Sequence, residues 1–148
     1  MAPPDCRYLC SLLFLFLLVC APPAVAIDLL EQPSVQSEAA TRTLLLDVTT
    51  RDRDSYVAVG TFGVIVVTED DGASWQQAAV PVSIALTGVY FPTPQKGWAV
   101  GHDGVILHSS DGGKNWQKQL DGYQLNEQII AVAERIVGQV RSELEELE

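Results

Sequence analysis

Tyr56 to Gln76 reads YVAVGTFGVIVVTEDDGASWQ, and Gly97 to Gln117 reads GWAVGHDGVILHSSDGGKNWQ. The two stretches align without a gap at an offset of 41 residues, as from Trp75 to Trp116. Ala, Val, Gly, Gly, Val, Ile, Asp, Gly, Trp and Gln fall at identical places. A fixed period near 40 residues in β-rich sequence marks a propeller blade or a stack of small sheets. A residue that recurs with the period is first a candidate for building the repeat.

Working outward, the first unit carries Leu44 to Thr50 as a strand, a charged turn at Arg51 to Asp54, and a strand from Tyr56 to Val59. A turn at Gly60 to Gly63 leads to Val64–Thr68, and Glu69 to Gly72 turns the chain into Ser74–Val80. Short runs of Val, Ile, Thr and aromatics joined by Gly/Asp turns predict one four-stranded antiparallel sheet. The second unit repeats the pattern from Leu86 to Gln119, and Asp103-Gly104 favours a primed hairpin turn. Beyond Asp121-Gly122 the alternation stops. Ile129, Ala133, Ile136, Val140, Leu144 and Leu147 recur at spacings of three and four, the apolar stripe of a helix from Asn126 to Glu148, with Asn126 as its cap.

The opening residues follow a different logic. Arg7 precedes the apolar run Leu12 to Val19, and Ala24-Val25-Ala26 is a small-x-small site, so residues 1–26 read as a secretory signal peptide cleaved after Ala26. The rival is a lipoprotein signal acylated at Cys20, but Val19 stands where a lipobox wants a small residue. Cys6, Cys10 and Cys20 are the chain's 3 cysteines, and all fall within this segment. The sequence from Ile27 onward therefore holds no thiol for disulfides, metal binding or catalysis.

The net charge is −10, and no basic run offsets it locally. Such a balance repels nucleic acid and anionic headgroups, so nucleic acid is excluded as a partner. The domains read as signal peptide 1–26, leader 27–43, blade one 44–82, blade two 83–122 and helix 123–148.

Each unit holds a Ser/Thr-x-Asp-x-Gly-x-x-Trp motif: Thr68, Asp70, Gly72 and Trp75, then Ser109, Asp111, Gly113 and Trp116. An Asp in a hairpin loop accepts bonds from its own turn, helped by Ser or Thr. Gly takes conformations that side chains resist, and Trp packs the loop onto the sheet. The expected role of these eight residues is structural. A calcium site needs six or more converging oxygens, and the second unit offers only Asp111 where the first has Glu69, Asp70 and Asp71. His102 and His108 lack further ligand neighbours, and the first unit has Thr61 and Val67 in their places. No metal, cofactor or catalytic residue is assigned, and Trp98 is expected in blade packing.

This motif resembles the Asp-box, or bacterial neuraminidase, repeat of sialidases and other β-propellers. The run from Trp98 to Gly113 is similar, more narrowly, to bacterial relatives of the photosystem II assembly and stability factor propellers. The resemblance covers Leu44 to Asp121. It implies an all-β fold of two four-stranded propeller blades followed by an amphipathic helix, the helix being an inter-blade insertion cut short.

It also implies Asp boxes remote from any active site and a non-enzymatic, periplasmic or secreted scaffold or assembly factor. The implied partner is a protein, a membrane complex at its periplasmic face. Two other readings stand beside this one: a glycan-binding or sialidase-like glycosidase propeller, and a truncated gene product without independent function. Sialidases use an arginine cluster and a tyrosine nucleophile with an acid partner. Here Arg42, Arg51, Arg53, Arg135 and Arg141 show no recurrent placement. Two blades do not close a ring, so the chain is expected to be a piece of a longer propeller and, alone, poorly soluble or self-associating.

Overall fold

The computed structural model describes residues 26–147. The signal-peptide expectation thus lies almost wholly outside the described residues, as does the lipoprotein alternative at Cys20. Eight strands form two antiparallel meanders followed by one helix. The first sheet is β1 (Leu45–Asp52), β2 (Ser55–Gly60), β3 (Ile65–Thr68) and β4 (Gln76–Gln77), paired in that order. The second is β5 (Leu86–Tyr90), β6 (Gly97–Gly101), β7 (Ile106–Ser109) and β8 (Gln117–Leu120).

Strand alternation decides which residues meet. Val57, Val59, Ile65 and Val67 point from the first sheet into a core that Leu86, Val89, Ala99, Leu107 and Trp116 supply from the second. These residues bring β-branched and bulky side chains to the middle of a two-layer packing. The opposite face of the first sheet places Ala58, Val64 and Val66 against Ala40 of the leader, with Leu45 and Trp75 packed alongside. The leader is therefore part of the fold. Its Ser34 N–H donates to the Val80 carbonyl at 3.0 Å, and Ser83 N–H donates to the Leu29 carbonyl at 2.8 Å.

The structure corrects the expected elements at four places. Arg51 and Asp52 belong to β1, so the charged turn shrinks to Arg53-Asp54 between the paired Asp52 and Ser55. The strand expected over Ser74–Val80 is confined to Gln76–Gln77. Beyond it, Ala79 leaves the first sheet: its N–H donates to Lys114 and its carbonyl accepts from Trp116, both at 3.0 Å. The segment is thereby divided between the two blades. Trp98, expected in blade packing, lies half-buried on the free face of the second sheet, its Nε1 donating to Gln119 and its ring 4.7 Å from His108.

The helix α1 runs Gly122–Glu145, starting four residues before the expected cap. Asp121, not Asn126, caps it. The Asp121 backbone is extended and its carboxylate accepts from the Gln124 N–H at 2.9 Å, the arrangement of an N-cap. Asn126 lies inside the helix, where a capping side chain has no role. No residue of α1 is buried, and the helix touches the blades at the His102–Gly104 turn. No helix among the described residues is long and apolar enough to cross a membrane.

Candidate functional site

The two boxes repeat one hydrogen-bond scheme. In the first, Thr68 Oγ1 donates to Asp70 Oδ1 at 2.7 Å and accepts from the Gly72 N–H at 3.0 Å. Asp70 then receives the Ser74 N–H at 2.8 Å and the Ser74 hydroxyl at 2.6 Å. In the second, Ser109 Oγ donates to Asp111 at 2.8 Å and accepts from the Gly113 N–H at 2.9 Å. Asp111 receives the Lys114 and Asn115 N–H groups at 3.1 and 3.0 Å and the Asn115 amide at 2.7 Å. Thr68 and Ser109 are almost wholly buried, so their hydroxyls need these partners. The carboxylates are spent on their own turns, which leaves little acceptor capacity for a ligand.

Gly72 and Gly113 both stand at φ +87, the left-handed region that glycine enters without strain. The boxes differ in their tryptophans. Trp116 is buried, donates from Nε1 to the Gly113 carbonyl at 2.9 Å, and meets the edge of Phe91 at a centroid distance of 5.9 Å. Trp75 is half-buried on the outer flank of the first blade. The period places the two alike, but only Trp116 has a second blade over it.

Bonds from Ser74, with its hydroxyl first, lower the Asp70 pKa from 3.8 to about 2. Burial acts to raise the Asp111 pKa, but bonds from the Asn115 amide, the backbone and Ser109 outweigh it and hold the group below its ordinary value. A depressed carboxylate stabilises the fold above its unfolded pKa and loses that contribution as pH falls through the folded one. The Asp70 contribution is therefore present above pH 3.8 and is lost toward pH about 2, beside those of the other depressed carboxylates, Glu69, Asp111 and Asp121. In Asp70→Asn the melting profile is expected to be shallower across that window. An identical acid slope in the variant would remove Asp70 from the account.

Between the blades sits a cluster that sequence reading missed. Arg51 Nη1 donates to the Gly112 carbonyl at 2.6 Å, and its Nη2 meets Glu69 at 3.1 Å. Lys114 reaches the same carboxylate at 3.2 Å. Bonds from Arg51 and then Lys114 hold the Glu69 pKa below the usual carboxylate range. The cluster links β1 to both box turns, and only the spacing of charges across two repeats could have signalled it.

A second tie joins Lys118 to the leader and the helix cap. Lys118 contacts Glu31 and, at 2.8 Å, Asp121. The Gln124 N–H, then Lys118, lowers the Asp121 pKa.

His102 and His108 remain apart in role: one lies in the turn after β6, the other against Trp98. No group of three His, Cys, Asp or Glu among the described residues is placed to hold a metal ion.

Two four-stranded antiparallel blades, each closed by the same Asp-box turn, define a β-propeller protein of the Asp-box class. The family model described as photosynthesis system II assembly factor YCF48 matches residues 29–137, taking in most of the leader, both blades and two thirds of the helix. The chain belongs to that family.

No curated protein matches it. Among solved structures, it is similar to one described as YCF48 bound to D1 peptide, at 25% identity and a TM-score of 0.49, over 66% of this chain and 34% of that one. It is similar also to YCF48 from Cyanidioschyzon merolae, at 30% identity and a TM-score of 0.47, over 53% of this chain and 27% of that one. The chain thus spans about a third or less of the length of these structures.

Proposed function

We propose that this chain is an exported, non-enzymatic protein-binding module that serves the assembly of a membrane protein complex, in the manner of a photosystem II assembly factor. The observation that carries the reading is the family match across residues 29–137. The closed bonding of the two boxes supports it, because the repeated carboxylates are engaged in their turns and not offered to a substrate. Export rests on the apolar run Leu12 to Val19 followed by Ala24-Val25-Ala26.

A D1 peptide, the ligand named for the solved YCF48 complex, is the probe for the partner. Calorimetric titration of the chain is expected to show saturable binding in the micromolar range, typical of a transient assembly contact (about −8 kcal/mol). Absence of heat at every concentration, with hydrolysis of a fluorogenic sialoside instead, would replace the assembly reading with the glycosidase one. Material secreted from a bacterial host is expected to begin at Ile27. A start at an acylated Cys20 would establish the lipoprotein route.

A further inference from the structure

Helix α1 is 24 residues long and buries none of them. Helices in proteins draw most of their stability from packing an apolar face, so this one lacks its main support. Its apolar residues follow a stricter rule than a surface helix needs. Tyr123, Ile130, Val137 and Leu144 recur at every seventh position. Ala133, Val140 and Leu147 each stand three residues after one of them, and Ile129 and Ile136 border the same stripe. Apart from Ala133, every one of these side chains is more than half exposed. Two apolar rows in steps of three and four, kept over more than three heptads, form the seam of a coiled coil. Such a seam is complementary to a second copy of itself.

Charge sets the direction of the pairing. The last turn of α1 has no basic residue, and Glu143, Glu145 and Glu146 crowd it, where its own dipole disfavours them. The first turn holds no acidic residue. Laid antiparallel, the acidic end of one helix lies beside the positive, uncharged first turn of the other. A parallel pair would bring both acidic ends together. Glu127 and Arg141 add a second match. Each stands four residues after a member of the first row, Tyr123 or Val137, so both flank the seam on one side. Fourteen positions put them about 21 Å apart on one helix, too far to meet within a chain. Across an antiparallel seam, residues on that flank face one another.

We propose that α1 pairs antiparallel with α1 of a second copy, forming a two-fold dimer of this chain. Val137 then packs in the central layer against the partner's Ala133, and Ile130 packs against the partner's Val140. Tyr123 meets the partner's Leu147, and Glu127 meets the partner's Arg141 twice by symmetry. The helix joins the blades through its first turn, at the Asp121 cap and the His102–Gly104 turn. Antiparallel pairing therefore sets the two pairs of blades at opposite ends, where they do not collide. The acidic border of the stripe also separates it from membrane-surface helices, whose polar faces are rich in Lys and Arg.

Sedimentation equilibrium of the chain secreted from a bacterial host tests the pairing. A dimer is expected at micromolar concentrations, with far-UV helicity that falls on dilution. Val137→Asp is expected to weaken it at least about a hundredfold, because the central layer would bury unpaired carboxylates. Glu127→Arg and Arg141→Glu are each expected to weaken it about tenfold, and the double variant to return within about threefold of the wild type. That rescue is specific to antiparallel helices. Near-UV signals from the blades should be unchanged in all four variants.

A chain that stays monomeric up to about 1 mM would overturn the proposal. So would a dimer indifferent to Val137→Asp, which would place the contact on the blades. Failure of the double variant to recover would remove the antiparallel arrangement. Loss of the near-UV signal in Val137→Asp would show that the helix packs on its own blades. Flotation of a monomeric chain with phosphatidylcholine vesicles would give the stripe to a membrane instead.

Discussion

Trp116→Ala is expected to lower stability by about 3–5 kcal/mol. The indole is buried in the core shared by both blades, stands edge-on to Phe91 and donates to the Gly113 carbonyl. Truncation removes this burial, leaves a cavity between the sheets and orphans a carbonyl in the box turn. A domain with a total stability of about 5–15 kcal/mol has little left after such a loss. The melting temperature should fall by at least about 10 °C. Trp75→Ala, at the equivalent place in the first blade, is expected to cost about half as much, because that ring is only half-buried. Equal losses in the two variants would show that a position's place in the repeat, and not its cover, sets the energy.

Gly63→Ala is expected to cost about 2–5 kcal/mol, combining left-handed strain with overpacking. Gly63 stands at φ +66, and a Cβ there would run into the carbonyl oxygen of Val82 in the segment joining the blades. Backbone on both sides leaves neither partner free to move aside. Gly72→Ala is the control. It has a similar φ of +87, but its nearest neighbour is the Trp75 ring at 3.8 Å, so only the conformational part, about 1–2 kcal/mol, should appear. Urea midpoints of the two variants separate the terms. Equal shifts would mean that the contact with Val82 relaxes away.

The repeat made the eight-strand pattern and the two box turns legible before any coordinates, because period, turn residues and strand alternation all sit close together in sequence. What escaped was set by contacts distant in sequence. Gln76–Gln77 is cut short as a strand by Lys114 and Trp116 of the other blade, which no local pattern announces. Asp121 captures the helix start because Lys118 and Gln124 fix its carboxylate, whereas Asn126 had only a good residue type to recommend it. Arg51 reaches Gly112 across 61 positions, and its meaning depends on how the blades are set together. Phe62 matches Asp103 in the alignment, yet the cost of putting an aromatic there is visible only in the backbone angle. The Trp75 and Trp116 pair shows the same limit: identical letters at identical offsets, with one covered and the other not.

The central claim is that the boxes build the blades, and the proposed function adds that a protein partner binds elsewhere. The most direct measurement is calorimetric titration of a D1 peptide into the wild-type chain and into Asp70→Asn and Asp111→Asn, each below its own melting temperature. The account predicts lower melting temperatures in both variants and an unchanged Kd in the folded protein. Melting temperatures that match the wild type, together with a Kd weakened about tenfold or more, would contradict it and place the boxes in the binding site.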